Sequence, residues 1–227
     1  MALMLMSLKV LAQKDVTKFL GIPVDGYKTE MKKKLIEKGY RYNSQRDFFD
    51  GEFNGRDVRI YIVTNNNKVW RIMVCDANTC SETDIKIRFN KLCRQFENNK
   101  KYISTALDDK DYTIPDNEDI SYEMLVKNKR YEASYFQRPD PSLVDTLEVQ
   151  SKVKNELLKE FTQEVIDNPT EKQQEEIQSA AQRILGGIAY EMIEKKLVWF
   201  MITESYGQYY ISLYYDNEYN HSNGEDL

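Results

Sequence analysis

Asn54-Gly55 restricts the fold of this chain more than any other feature. A two-residue hairpin turn needs positive φ at both positions, which Asn and Gly tolerate best, so the pair predicts a tight β-hairpin. The flanks agree. Phe48 to Phe53 leads into the turn, and Asp57 to Thr64 leads out with Val58, Ile60 and Ile62 on one face and Arg59, Tyr61 and Val63 on the other. Asn65-Asn66-Asn67 makes the next turn, and Lys68 to Cys75 returns with Trp70, Ile72 and Val74 as its expected apolar face. Consecutive hairpins build antiparallel sheet, and one face of such a sheet must be covered.

The rest of the chain supplies both strands and cover. A helix is expected from Thr29 to Lys38, ended by Gly39, and another from Glu82 to Asn98 with Ser81 as its N-cap. In the second, Ile85, Phe89, Leu92, Cys93 and Phe96 form a stripe at helical spacing. Residues 99–119 read as a polar connection. Two more hairpins are expected: Ile120 to Lys127 with Arg130 to Gln137, and Leu197 to Glu204 with Gln208 to Tyr215 around Tyr206-Gly207. Between them, after Pro139-Asp140-Pro141, lie two expected helices. One runs from Ser142 to Asp167, and one follows the capping-box pair Thr170 and Gln173. Gly186-Gly187 in the latter suggests a kink or a close helix contact. The fold class is therefore α+β: a mostly antiparallel sheet built from hairpins, with helices packed on one face. Residues 13–215 form a single domain, with 13–105 and 106–215 as two similar lobes, and 216–227 form a polar tail.

Charge and composition exclude some partners. The chain of 227 residues has a net charge of −5 and no long Lys/Arg run, which argues against nucleic acid. Residues 1–12, MALMLMSLKVLA, are apolar but too short to span a membrane, so no transmembrane segment is expected. Val10-Leu11-Ala12 fits a signal-peptidase site with Gln13 as the mature start, and the stretch is read as a signal-peptide remnant. The chain has 16 tyrosines, which suit both half-buried strands and binding surfaces. In the last hairpin, Tyr210 and Tyr214 are expected to point outward, as is Tyr61, and together they are the candidate surface-binding residues.

Few groups suit catalysis. There is one histidine, His221, in the polar tail, so a Ser or Cys triad has a single candidate base. Three cysteines, Cys75, Cys80 and Cys93, match no zinc spacing. Cys75 and Cys80 are close enough in sequence for a candidate disulfide in an exported protein. Asp216, Glu218 and Asn220 imitate the start of a calcium loop, but His221 stands where such a loop needs Gly. The acids Asp108, Asp109, Asp111, Asp116, Glu118 and Asp119 are numerous enough to leave carboxylate chemistry open. No phosphate-binding glycine loop is present, and no cofactor is expected.

Four segments taken together resemble a group of uncharacterised exported proteins of Bacteroidetes: FLGIPVDG from Phe19, FDGEFNGRDVRIYIVTNNNKVWRIMV, RFNKLCRQFENNKKY and YYDNEYNHSNGEDL. The resemblance implies a signal peptide and an α+β fold, and carries no known activity. The expected function is an exported, non-enzymatic binding or interaction module for a protein or glycan partner, periplasmic or secreted. A cytoplasmic location follows instead if the apolar start is an ordinary helix. The alternative function is a carboxylate-based or metal-assisted hydrolase.

Overall fold

The structure is a computed structural model and describes residues 14–106 and 111–222. The expected signal remnant, Asp108 and Asp109, and the end of the tail lie outside the described residues. Among these, the chain divides into two compact units, residues 16–138 with 193–222, and residues 14–15 with 139–192.

The first unit is an α+β fold around one eight-stranded antiparallel sheet. A two-stranded ribbon, β1 (Lys18–Phe19) and β2 (Ile22–Pro23), precedes α1 (Lys28–Glu37). The meander β3 (Arg41–Asn43), β4 (Phe48–Phe53), β5 (Arg56–Asn65) and β6 (Lys68–Asp76) follows, then α2 (Glu82–Glu97), β7 (Tyr102–Ser104), α3 (Ile120–Lys127) and β8 (Glu132–Gln137). The chain returns to this unit as β9 (Leu197–Ser205) and β10 (Gln208–Asp216). The spatial order is β3-β4-β5-β6-β10-β9-β8-β7. Two four-stranded arrays thus meet where β6 pairs with β10, Val74 opposite Leu213. That long-range pairing at the sheet's centre is added to the local hairpins read from the sequence, which by themselves did not join the two arrays.

The Asn54-Gly55 turn forms as expected, with φ of 52° and 71°. Tyr206-Gly207 turns the same way at 52° and 73°. One cross-strand row, Phe49, Ile60, Val74, Leu213, Phe200 and Ala133, runs through the core, and every member is buried. The helices cover this row. Met31 and Leu35 of α1 and the stripe Ile85, Phe89, Leu92, Cys93 and Phe96 of α2 join the strand residues in one cluster. Ser81 caps α2 by accepting from the Asp84 amide at 3.2 Å. A well-packed aromatic group anchors the centre: Phe96 stacks on Tyr135 at 4.7 Å, and Phe89 meets Phe200 edge-on at 5.1 Å.

Several local expectations are corrected. Ile120 to Lys127 is helix α3, not a strand. Its alternating apolar residues imitate a strand, but Asp119 caps it through the Tyr122 amide at 2.8 Å, and Asn128 ends it in the left-handed region with φ of 56°. β8 therefore pairs with β9 and with β7, a short strand inside the stretch read as a polar connection. Trp70 is not on the core face. The β5–β6 register jumps between Val63/Thr64, with Arg71 opposite Val63 and Val69 opposite Thr64, so Trp70 is the extra residue of a bulge. Val69 takes the buried place that alternation assigned to Trp70.

The second unit is helical: α4 (Thr146–Glu160), α5 (Gln163–Asp167) and α6 (Glu171–Ile193). The single expected helix from Ser142 breaks at Phe161, whose backbone is extended, and Thr162 recaps α5. The Thr170–Gln173 capping box forms, Thr170 donating its amide to Gln173 at 2.9 Å. The α6 helix runs unbroken through Gly186-Gly187, and a Cβ at either glycine would meet nothing within 4 Å. The expected close helix contact is therefore absent among the described residues. No helix of the described residues is long and apolar enough to cross a membrane.

Candidate functional site

Side chains alternate across a strand, so each residue between two core positions points to the opposite face. On that face no helix of the sheet unit contributes to the packing, because α1, α2 and α3 all belong to the core side. Two rows dominate it. One reads Tyr61, Met73, Tyr214, Trp199 and Ser134 across five strands, with Phe48 against Tyr61 at 5.6 Å. The next reads Arg41, Asp50, Arg59, Cys75, Ser212, Met201 and Glu132.

Arg71, which alternation with buried Ile72 and Val74 sends to this face, is its electrostatic centre: Nε and Nη2 each donate to the Asp216 carboxylate at 2.6 Å. Trp199 donates Nε1–H to the same carboxylate at 2.9 Å. The guanidinium lies 4.2 Å from the Trp70 ring, 4.9 Å from Tyr214 and 5.5 Å from Trp199. Trp199 and Tyr214 stack on each other at 4.1 Å with 18° between planes. A bidentate pair enclosed by rings is stronger and better ordered than an exposed one. It also uses up ring faces: these aromatics stack on one another and on Arg71.

The sequence-derived residues are accounted for as follows. Tyr61 and Tyr214 both lie on this face, separated in their row by Met73, and Tyr210 is one pleat along β10 from Ser212. Burial raises the pKa of Tyr61 and of Tyr214, and Tyr210 contributes to both shifts, so the three lie within electrostatic reach. Both hydroxyls stay protonated at neutral pH and can donate or accept. Cys75 and Cys80 form no bridge. Cys75 is a free thiol on the open face, 3.6 Å from Ser212 Oγ. Cys80 packs against the core on the other side, held by a two-way backbone bridge to Tyr209 at 2.8 and 3.0 Å. The sheet itself separates them. Burial raises all three thiols, Cys93 to about 12, so none is an activated nucleophile.

The remaining candidates serve structure. His221 packs edge-on against Trp70 at 4.7 Å and faces Glu218 at 3.8 Å, and neither contact is to a serine or cysteine. The start of the tail is docked: Asn217 donates to the Val24 carbonyl at 2.7 Å, and Asn220 to Asp25 at 2.7 Å. Asp216, the first residue of the calcium-like pattern, is the buried partner of Arg71. Asp119 caps α3, while Glu118 pairs with Lys129 and accepts from Tyr131. Asp76 is held by Arg88 through bonds of 2.5 and 2.6 Å. Among the described residues no group of three or more His, Cys, Asp or Glu is arranged to hold a metal ion.

Sequence reasoning missed Trp199, Arg71 and Met201, and read Asp216 only as the start of a calcium-like pattern rather than as the partner of Arg71. The alternation of β9, with Val198, Phe200 and Ile202 inward, already implied an outward Trp199 and Met201. The alternation of β6, with Ile72 and Val74 inward, likewise implied an outward Arg71, whereas nothing local signalled the bulge that takes Trp70 off the core face. No protein-family model, curated protein or solved structure matches the chain.

Proposed function

We propose that this chain is an exported, non-enzymatic binding module that recognises a protein partner through the open face of its sheet. The observation that carries the reading is the make-up of that face: Tyr61, Met73, Tyr214, Trp199, Met201, Arg59 and Arg71 share one surface. Tyr, Trp, Met and Arg are the residues enriched at protein interfaces. Docking on the face also suits the edges, since β3 and β7 have only three residues each and offer little for an added strand. A glycan is less well served. Sugars stack on free ring faces, and here Trp199, Tyr214 and Arg71 occupy one another's. A hydrolase finds less support still, because Asp76 and Asp216 are committed to arginines. Export draws its support from the apolar start and its Val10-Leu11-Ala12 motif.

Site-specific photo-crosslinking tests the reading. A benzophenone side chain replaces Tyr210 on the open face or exposed Ile87 on α2, in cells that make the protein. A discrete protein adduct from position 210 and none from 87 is expected. No adduct, or the same adducts from both positions, rejects the open face as the interface. Terminal mass spectrometry on the same material reads export: Gln13 as first residue agrees with it, and intact Met1 rejects it.

A further inference from the structure

The helical unit has a small core for its surface. Of its apolar side chains only Leu157, Ala180 and Ile188 are buried, while Leu147, Leu158, Leu185 and Tyr190 are exposed. A unit of this size that buries so little needs further cover to be well ordered. A groove of about 450 Å³ opens in its surface, lined by Val149, Val153 and Leu157 of α4, Ile166 of α5 and Leu185 of α6. Two charges line it as well, Lys154 on α4 and Asp167 on α5. Neither forms an ion pair among the described residues, and Asp167 accepts from the Gln163 side chain at 2.8 Å. Beside the groove runs a ridge. Leu147, Lys154 and Leu158 recur on α4 at i, i+7 and i+11, which places them on one stripe of the helix. Leu147 is 73% exposed.

We infer that this surface is a homodimer interface: a two-fold axis sets the α4 ridge of each copy in the groove of the other, and Lys154 pairs with Asp167 of the partner subunit. Ridges pack into grooves between helices, and a surface that offers both, with one charge of each sign, is complementary to itself. Other occupants are less well matched. A basic helix would suit the unit's total charge, eleven Asp and Glu against five Lys and Arg in residues 139–192, but it would set cations against Lys154 with no acid to answer it. An acidic segment would meet Asp167 and that same excess. A second copy brings one acid for each base. The excess also opposes self-association, and salt screens it beyond about 10 Å, so the dimer is expected to be weak and reversible. The inference does not depend on how the open face of the sheet is used. A dimer carries two such faces, and a partner with repeated sites gains avidity from them.

Sedimentation velocity on the full chain, from about 1 to about 200 μM, reads the association. A reversible monomer–dimer equilibrium is expected. Charge exchange tests the pairing. Lys154→Glu and Asp167→Lys should each weaken self-association about tenfold or more, because each sets like charges opposite one another at both ends of a two-fold contact. An equimolar mixture of the two variants should associate again, since the mixed dimer restores opposite charges at both ends. Leu147→Gln should weaken the dimer, and Leu125→Asp, at an exposed apolar site on α3, should leave it unchanged. Circular dichroism confirms that each variant folds. A wild-type chain that stays monomeric throughout, single charge variants that associate as the wild type does, a mixture no stronger than its components, or loss at Leu125 alone would each overturn the inference. A monomer that binds a labelled amphipathic peptide of Leu and Lys would overturn it in favour of a basic helix.

Discussion

Asp216 holds together more of the open face than any other single side chain. It is 1% exposed, accepts two bonds from Arg71 and one from Trp199, and its carbonyl accepts from Thr17. Removing one partner of a buried pair leaves the other charge stranded, which costs more than the pair itself contributes. Arg71 keeps 22% exposure and can reach some water, so Asp216→Ala should lose about 3 kcal/mol, toward the lower end for such losses. The double variant Arg71→Met with Asp216→Leu should lose much less, because no charge is left unpaired. Urea unfolding followed by circular dichroism distinguishes them: a double variant as unstable as the single would mean that the cluster works through shape and not charge. Alternation with Ile72 sends Arg71 to this face, but the pairing itself was not legible locally, because Asp216 lies 145 residues away and meets Arg71 only through the β6–β10 register.

At the scale of elements, α1 is fastened to the β3–β4 turn by a single carboxylate. The Asp47 carboxylate accepts from Lys28 at 2.6 Å, from Tyr42 at 2.7 Å and from Lys32 at 3.0 Å. Lys28 first, then Tyr42 and Lys32, hold the Asp47 carboxyl well below the ordinary carboxylate range. The unfolded chain titrates this group near about 3.9, above its folded value. The stabilisation is therefore complete above the unfolded pKa and is lost as the pH falls through it toward the folded pKa. Asp47 is half exposed, so solvent screening keeps the neutral-pH gain below about 1 kcal/mol. The gap in urea midpoint between wild type and Asp47→Asn should narrow between about pH 5 and pH 3. A gap that stays constant across that range would show that the carboxylate does not link α1 to the turn electrostatically. The helix itself was readable from Met31 and Leu35 at one-turn spacing, but its partner was not, since the tie depends on where the turn folds back.

On the scale of the whole molecule, the helical unit is spliced between two strands that are neighbours. Phe136 of β8 lies opposite Leu197 of β9, the Gln137 amide donates to the Lys196 carbonyl at 2.9 Å, and Lys196 Nζ donates to the Arg138 carbonyl at 3.0 Å. The chain leaves the sheet and re-enters it at one place, which is the geometry that tolerates insertion or removal. Replacing residues 139–194 by Asn-Gly should therefore leave a sheet unit that unfolds cooperatively with the near-UV signal of Trp70 and Trp199 retained. Loss of cooperative unfolding would mean that the sheet needs the helical unit in order to fold.

Hairpins and caps, which depend on neighbours in sequence, were set by the sequence alone. Asn54-Gly55, Tyr206-Gly207, the Ser81 cap and the Thr170–Gln173 box all form where local chemistry placed them. So did the α+β class, because those hairpins leave little choice but an antiparallel sheet with helical cover. Ile120 to Lys127 was misread because alternation and helical capping competed there, and the Asp119 and Asn128 caps prevailed. The central β6–β10 pairing and the bulge at Trp70 were decided only by the tertiary structure. Both depend on partners far along the chain, and a bulge changes the facing of every later residue without leaving a mark in the local pattern. That one extra residue takes Trp70 out of the core and puts Val69 in the place that alternation gave it.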